Sequence, residues 1–279
     1  MSPAGRRLIN RAMDALTSLA AMLSIMPLLL ILGFLVYQGA SSLSLELFTE
    51  LPRPVGEPGG GFANAIVGTL IVMGLAGCVG LPLGILGGIY AAESRDPRVP
   101  WLVRFVADVL NGVPSIVFGI FAYTILVHPM RRFSALAGGF ALGLIMVPIV
   151  LRTTEEMVRL VPRSVHEAGL GLGLHEWTVM LRIVLPAARA GIITGVMVAV
   201  ARVAGETAPL LFTALGNRFW HQGLDQPIAT LPLQIYAYAI SPFDDWHRQA
   251  WAGALVLIGL VLLISLAARL IAPRRAPGR

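Results

Sequence analysis

Six predominantly apolar stretches, separated by polar segments, constrain this chain more than any other feature of its sequence. Each has roughly the 20 residues that a helix needs to cross the hydrocarbon core of a bilayer. The pattern predicts an all-α, polytopic membrane protein with six transmembrane helices. The stretches run approximately over residues 15–45, 64–92, 102–127, 134–151, 191–212 and 250–268.

The composition agrees with a lipid environment. Of the 279 residues, 56% are hydrophobic and 13% are charged, whereas soluble domains carry about 25% charged residues. The uncharged stretch 15–45 is longer than the apolar core of a signal peptide. We therefore expect it to be retained as the first span.

The distribution of arginine predicts the orientation. All 21 basic residues are arginine and lysine is absent. With the N-terminus inside, the inner segments hold 15 arginines and the outer segments hold 5. Because basic residues collect on the cytoplasmic side, we expect both termini in the cytoplasm. The basic charge does not indicate nucleic-acid binding, since no basic stripe with interleaved aromatic residues is present.

The missing lysine also limits the chemistry of the chain. A Walker A loop holds nucleotide phosphates with a lysine, so any ATPase that drives this protein is a separate chain. Cys78 is the single cysteine, and no metal-ligand spacing or catalytic constellation is present. We expect a transport subunit rather than an enzyme, with no bound metal or cofactor.

Prolines inside the predicted spans include Pro82, Pro114, Pro148 and Pro209. Each removes one backbone hydrogen bond and favours a kink, and transporters line their paths with broken helices. Proline is also more frequent in membrane helices than in soluble ones. Both interpretations stay open for each proline.

A long polar segment, Arg152–Arg189, separates the fourth and fifth predicted spans. Val165–Gly169 and Glu176–Val184 have helical patterns, and Gly171 and Gly173 indicate a turn between them. Two short helices with a bend would form a knob that docks into a groove of a partner. An amphipathic helix lying on the membrane surface fits the same pattern.

The spacing within this segment resembles the EAA loop of ABC-importer permeases. The residues that match are Glu167, Ala168, Gly169, Gly173, Ile183, Leu185 and Pro186, with Gly169 in place of the second alanine. The resemblance implies a coupling helix that lies in a cleft of the ATPase subunit. It also implies a MetI-like permease domain over residues 62–272, with five helices and the coupling loop at 153–189. Residues 1–61 would form a cytoplasmic tail, the first helix and an external loop, and residues 273–279 a basic cytoplasmic tail.

Further motifs resemble the A-type permeases of phosphate (Pst) importers. They are RTTEE (152–156), GVPSIVFGIF (112–121), ARVAGETAPLLFTALG (201–216), QPIATLPLQIY (226–236) and WAGALVL (251–257). The resemblance implies phosphate import across the bacterial cytoplasmic membrane by alternating access. It also implies three partners: an ATPase dimer that uses the ATP, a second, C-type permease and an extracytoplasmic phosphate-binding protein.

Two charged pairs mark a candidate substrate path. Arg202 and Glu206 are four residues apart in the fifth predicted span, where a helix would place them on one face. They either neutralise each other or line the path, because intramembrane charges face a partner or a water-filled cavity. Arg152 and Glu155 form either an interfacial anchor or a gate at the inner end of the fourth span. Asp108 is interpreted as interfacial.

Three alternative functions stay open. The cargo could be another oxyanion, such as molybdate or sulfate. An ion-driven secondary transporter would show inverted repeats, which the sequence does not display. A membrane scaffold or sensor would have no transport role.

Overall fold

The computed structural model describes residues 3–54, 57, 59–94 and 96–271, so the predicted basic tail at 273–279 lies outside the described residues. Within that part every regular element is helical, apart from one isolated bridge between Leu215 and Ile228. The all-α prediction is confirmed. The helices are α1 (Pro3–Ala40), α2 (Leu45–Thr49), α3 (Ala63–Glu93), α4 (Arg98–Gly112), α5 (Ser115–Met130), α6 (Ala135–Arg159), α7 (Arg163–Gly171), α8 (Glu176–Ala204), α9 (Ala208–Leu211), α10 (Leu231–Ala239) and α11 (Asp244–Ile271).

Glycine-mediated packing of α3 against α6 forms the centre of the fold. Gly80 lies against Met146, Gly84 against Val150, and Gly88 against the Leu151 carbonyl, so the contacts advance in the same direction along both helices. Small residues let the two backbones approach closely, as is typical of membrane helices. The two helices are therefore parallel, with one shared end near Ser134 and another near Arg159; we call these the Ser134 end and the Arg159 end.

The parallel arrangement determines how the chain between them runs. After α3 finishes at the Arg159 end, the chain must return to the Ser134 end before α6 begins. Helices α4 and α5 make this return as one broken span, bent by 98°. Together with the five continuous helices long and apolar enough to cross a membrane, this gives six crossings, as the sequence predicts.

The third predicted span is therefore not one helix. The break falls at Val113 and Pro114, where both residues have extended backbones. Proline lacks the N–H that would continue the helix and disfavours a helical residue before it. In contrast, Pro82 and Pro148 lie inside unbroken helices.

The boundaries of two further spans also differ from the prediction. Helix α6 continues to Arg159 rather than ending at Leu151, and α8 extends from Glu176 to Ala204 rather than from Gly191 to Phe212. A π-helical turn at Met180–Val184 precedes Pro186. Because π turns occur as single-turn bulges within α-helices, the helix passes this proline without a break.

An ordered loop fills the Ser134 end between α9 and α10. The Ser134 N–H donates to the Thr213 carbonyl, and the Leu231 N–H donates to the Thr69 hydroxyl, at 2.9 and 2.8 Å. The Asn64 amide donates to the Asn217 carbonyl at 2.8 Å. These buried polar contacts tie the loop to the first turns of α3 and α6.

Helix α1 stands at the periphery, against α11. The Phe34 ring meets the Trp251 ring edge-on with centroids 5.2 Å apart, and Gly39 lies against the Trp251 carbonyl. Most of the other apolar side chains of α1 are exposed. They form an apolar surface that lipid or a partner helix covers.

The packing of α3 on α6 predicts a large effect at Gly88. A Cβ added there would lie 2.6 Å from the Leu151 carbonyl oxygen and 2.6 Å from the Thr154 Cβ. We expect Gly88→Ala to destabilise the protein by about 1–3 kcal/mol through overpacking, measured as a lower thermal midpoint in detergent. Gly74→Ala, on the same helix, is the control, because an added Cβ there meets no atom within 4 Å. Equal midpoints for the two variants would contradict this packing.

Candidate functional site

A cluster of charged side chains at the Arg159 end centres on Glu155. This side chain is only 2% exposed, and its Oε1 accepts from Arg104 Nη2 at 2.6 Å and Nε at 2.7 Å. Arg159 Nη2 lies 3.1 Å from the same oxygen. A buried carboxylate is expensive unless it is paired and hydrogen-bonded, so these arginines account for its presence here.

A second ion pair lies beside the first. Arg152 Nε is 3.2 Å from Asp108 Oδ1, and its Nη2 is 3.4 Å from Asp108 Oδ2. Arg152 Nη1 also lies 3.6 Å from Glu155 Oε2. We call Arg104, Asp108, Arg152 and Glu155 the ion-pair clasp, because two oppositely directed pairs join α4 to α6.

The clasp confirms the predicted proximity of Arg152 and Glu155 and adds residues that the sequence interpretation missed. Asp108, interpreted as interfacial, pairs with Arg152, and Arg104 and Arg159 had no assigned role. The signal was present as charges three or four residues apart on two segments, at 104 and 108 and at 152, 155 and 159. Such spacing places charges on one helix face, but it does not show which two faces meet.

One oxygen of the clasp lacks a full complement of partners. Glu155 Oε2 is buried and makes no hydrogen bond, and the neighbouring Thr154 hydroxyl is likewise buried without one. Arg152 Nη1, at 3.6 Å, is the charged donor near that oxygen. Arg152 therefore lies between an exposed carboxylate that it already binds and a buried one that it almost reaches.

The second candidate pair, Arg202 and Glu206, is arranged differently from the prediction. Helix α8 ends at Ala204, so Glu206 does not share a helix face with Arg202, and no ion pair joins them in the described chain. Helix α8 is followed by Gly205, and a separate short helix begins at Ala208. The interpretation that these two charges simply neutralise each other is wrong. Arg202 is exposed on the isolated chain, whereas Glu206 is half-buried.

Arg202 nevertheless lies at the level of the apolar middle of α6. Its neighbour Val203 and Leu142 of α6 line the same small cavity. Leu142 is 10 residues from Arg152, or about 15 Å along the helix at 1.5 Å per residue. The two candidate arginines therefore occupy different levels of the molecule.

The residues of the predicted coupling motif form a bend between α7 and α8. Gly169 is buried, and an added Cβ would meet Val179 Cγ2 at 2.9 Å and Ile183 Cδ1 at 3.0 Å. Gly173 adopts φ +79°, a left-handed conformation that glycine reaches without steric cost. A small residue at 169 and a glycine at 173 therefore allow α7 to fold back onto the start of α8.

The rest of the motif is placed differently from the expected separate short helix. Ile183 belongs to the π turn, and Leu185 and Pro186 follow it within the continuous helix α8. The predicted coupling segment and fifth span are thus one element. Glu167 and Ala168 are exposed on α7.

The bend presents an apolar tip, which we call the knob. It consists of the exposed side chains Leu170, Leu172, Leu174 and Trp177, and Leu172 is 80% exposed. Exposed apolar groups that cluster in this way mark interaction sites in soluble regions.

The turn at Gly173 predicts a local effect of substitution. A left-handed conformation costs about 1–2 kcal/mol for a residue with a Cβ, so Gly173→Ala should accelerate amide hydrogen exchange in residues 168–178 by roughly tenfold. Gly171→Ala is the control, because Gly171 is helical and an added Cβ meets nothing within 4 Å. Equal exchange in the two variants would show that the turn does not depend on glycine.

Comparison with known proteins places these features in a family. A family model described as "Binding-protein-dependent transport system inner membrane component" matches residues 84–277. The chain is 46% identical to the phosphate transport system permease protein PstA of Yersinia pestis, covering 96% of this chain and 91% of that protein. It is 43% identical to the protein of the same name from Haemophilus influenzae, and this match covers 95% of this chain and 94% of that protein.

Solved structures share the fold at low sequence identity. One of them is a chain of a bacterial ABC transporter involved in the import of the acidic polysaccharide alginate. The match covers 98% of this chain and 100% of that chain, with TM-score 0.68 and 15% identity. A chain of the MetNI methionine ABC transporter in an inward-facing conformation also shares the fold. The match covers 75% of this chain and 91% of that chain, with TM-score 0.60 and 17% identity. The chain thus has the fold of ABC-importer permeases, and it belongs to the family of binding-protein-dependent transport system inner membrane components, within the phosphate transport system permease proteins PstA.

Proposed function

We propose that this chain is the membrane-spanning permease subunit of an ATP-driven importer of inorganic phosphate. The observation that carries the proposal is the 43–46% identity, over nearly the whole chain, to permeases of phosphate transport systems. The chain contributes a path through the membrane and catalyses no reaction. ATP is hydrolysed by a partner, because a chain without lysine has no Walker A loop.

Arginine chemistry supports phosphate as the cargo. Phosphate is an anion with several acceptor oxygens, and the guanidinium is always charged and planar, so it offers paired donors that match those oxygens. We assign Arg202 and Arg152 to the substrate path at two levels. Glu155, 3.6 Å from Arg152, weakens the hold of that arginine on the anion, which must be released. Glu206 is also assigned to the path, although it makes no ion pair with Arg202 in the described chain.

We propose that the Arg159 end faces the cytoplasm. Six crossings place both termini on one side, and the knob and most arginines accompany them, in agreement with the positive-inside rule. The permease domain then spans residues 62–272, with the coupling loop within 153–189. Residues 1–61 and 273–279 flank it.

The proposed partners follow from this orientation. The cytoplasmic knob docks into an ATPase subunit, of which an importer has two. A second, C-type permease completes the membrane path, and an extracytoplasmic phosphate-binding protein delivers the cargo to the Ser134 end.

A continuous helix supports a mechanism of alternating access. Helix α8 extends from Glu176, beside the knob, to Arg202, a distance of roughly 39 Å at 1.5 Å per residue. Movement of the knob when the ATPase dimer closes would be transmitted along this helix to Arg202. The path would then open alternately to the two sides by tilting of packed helices.

Phosphate uptake by the complete complex in proteoliposomes tests the cargo and the role of Arg202. We expect Arg202→Gln to reduce uptake by about tenfold or more, because a hydrogen bond to a charged group contributes roughly 1.5–3 kcal/mol. Arg98→Gln is the control, since Arg98 is an exposed arginine at the start of α4, outside the candidate path and the coupling loop. Normal uptake by Arg202→Gln would refute the path assignment. Uptake of molybdate or sulfate in preference to phosphate would refute the cargo.

Docking of the knob is tested by Leu172→Asp. Because Leu172 is 80% exposed, the change leaves the core intact but places a charge in the contact. The affinity of the permease for the ATPase subunit, measured by copurification at several ATPase concentrations, should fall by about fivefold or more, as for a residue at the centre of an interface. Phe219→Asp, 73% exposed at the opposite end, serves as the control. Retention of full ATPase affinity by Leu172→Asp would exclude the knob as the docking site.

A further inference from the structure

Helix α4 is attached to the rest of the protein mainly through polar contacts. Of its residues only Pro100 and Ala107 are buried. Five of its large apolar side chains are 46–64% exposed: Trp101, Leu102, Phe105, Val106 and Val109. Leu110, near the end of the helix, packs against the hydrophobic core. Turning α4 about its Leu110 end would therefore uncover few buried apolar side chains.

The ion-pair clasp supplies the attachment that apolar contacts do not. Helix α4 carries Arg104 and Asp108, and α6 carries Glu155 and Arg152 at matching levels, so that each charge faces its opposite. Arg104 binds Glu155 through two of its nitrogens, and Arg152 binds Asp108 through two of its own. Paired donors of this kind fix geometry as well as charge.

A natural pivot lies at the end of α4. The break at Val113 and Pro114 already separates α4 from α5 by a 98° bend. Because the backbone is extended at both residues, α4 can change its angle without breaking helical hydrogen bonds. Hinges of this kind are a few residues at element ends that absorb the change in φ and ψ.

The clasp can also open without leaving a buried charge unpaired. Arg159 lies on the same helix as Glu155 and keeps its contact at 3.1 Å when α4 moves. The other separated groups reach water, since the side chains of Arg104, Arg152 and Asp108 are 33%, 32% and 58% exposed. The Arg152–Asp108 pair is largely exposed, and exposed ion pairs contribute little net stability, so this half of the clasp is suited to repeated opening and closing.

We propose that the ion-pair clasp closes the cytoplasmic end of the substrate path, and that Arg104 and Asp108 are positioning residues for phosphate release. This proposal rests on the proposed function. When α4 pivots, Arg104 leaves Glu155 and Arg152 leaves Asp108, and both guanidiniums become available to the departing phosphate. Closing returns each guanidinium to its carboxylate, which competes with the anion and expels it.

The test measures coupling rather than assembly alone. In the complete reconstituted complex we would measure phosphate transported per ATP hydrolysed, for the unchanged protein and for Arg104→Gln, Arg104→Lys and Asp108→Asn. We expect this ratio to fall by about fivefold or more in Arg104→Gln and Asp108→Asn, as for the loss of an allosteric coupling. Arg104→Lys, which keeps the charge, should recover part of it.

Arg98→Gln provides the matched control, because Arg98 is an exposed arginine on the same helix and lies outside the clasp. Its ratio should equal that of the unchanged protein. If the Arg104→Gln complex fails to assemble, the ratio of the Asp108→Asn complex tests the proposal instead, because the Asp108 side chain is 58% exposed. An unchanged ratio, or a parallel fall in transport and ATP hydrolysis, would overturn the clasp as a gate.

The same experiment separates this proposal from the proposed function. If the unchanged complex carries another oxyanion rather than phosphate, the cargo is wrong, but the ratio is measured with that anion and the clasp is still tested. If phosphate is carried and the ratio does not respond to Arg104→Gln or Asp108→Asn, the proposed function stands and the gate does not.

Discussion

Close backbone contact between α3 and α6 is the constraint on which the rest of the structure depends. Gly80, Gly84 and Gly88 permit it on one helix, and the parallel direction that results forces the chain between the two helices to cross the membrane. In lipid, helix association gains nothing from the hydrophobic effect between helices and relies on dense packing instead. The broken span formed by α4 and α5, which returns the chain to the Ser134 end, follows from this contact.

Local composition predicted the helices that are bounded by polar residues. The second span, expected at 64–92, runs from Ala63 to Glu93, because charged residues follow it at once. The same reasoning failed at Arg152–Arg159, where charge was taken to indicate a loop. Those side chains stay in a helix because their partners, Arg104 and Asp108, come from a helix some 50 residues earlier in the chain, and no local pattern contains that information.

The candidate site was only partly accessible to sequence reasoning for the same reason. Arg152 and Glu155 could be selected because they are charged residues next to a span, and spacing related them to each other. Arg202 and Glu206 were also selected, but their assumed helical register failed because α8 ends at Ala204. Chemical identity is visible in a sequence, whereas the geometry that joins two helices depends on how both are packed against the rest of the fold.

The π turn at Met180–Val184 has a consequence for how the two ends of α8 are related. A π turn holds one residue more than the hydrogen-bonding pattern of an α-helix allows. Winding the same residues as a regular α-helix, without the π turn, would rotate everything beyond them by about 100°, since a helix has 3.6 residues per turn. The azimuth of Arg202 relative to the knob therefore depends on this π turn, so that the direction in which residue 202 leaves the helix is encoded some 20 residues away from it.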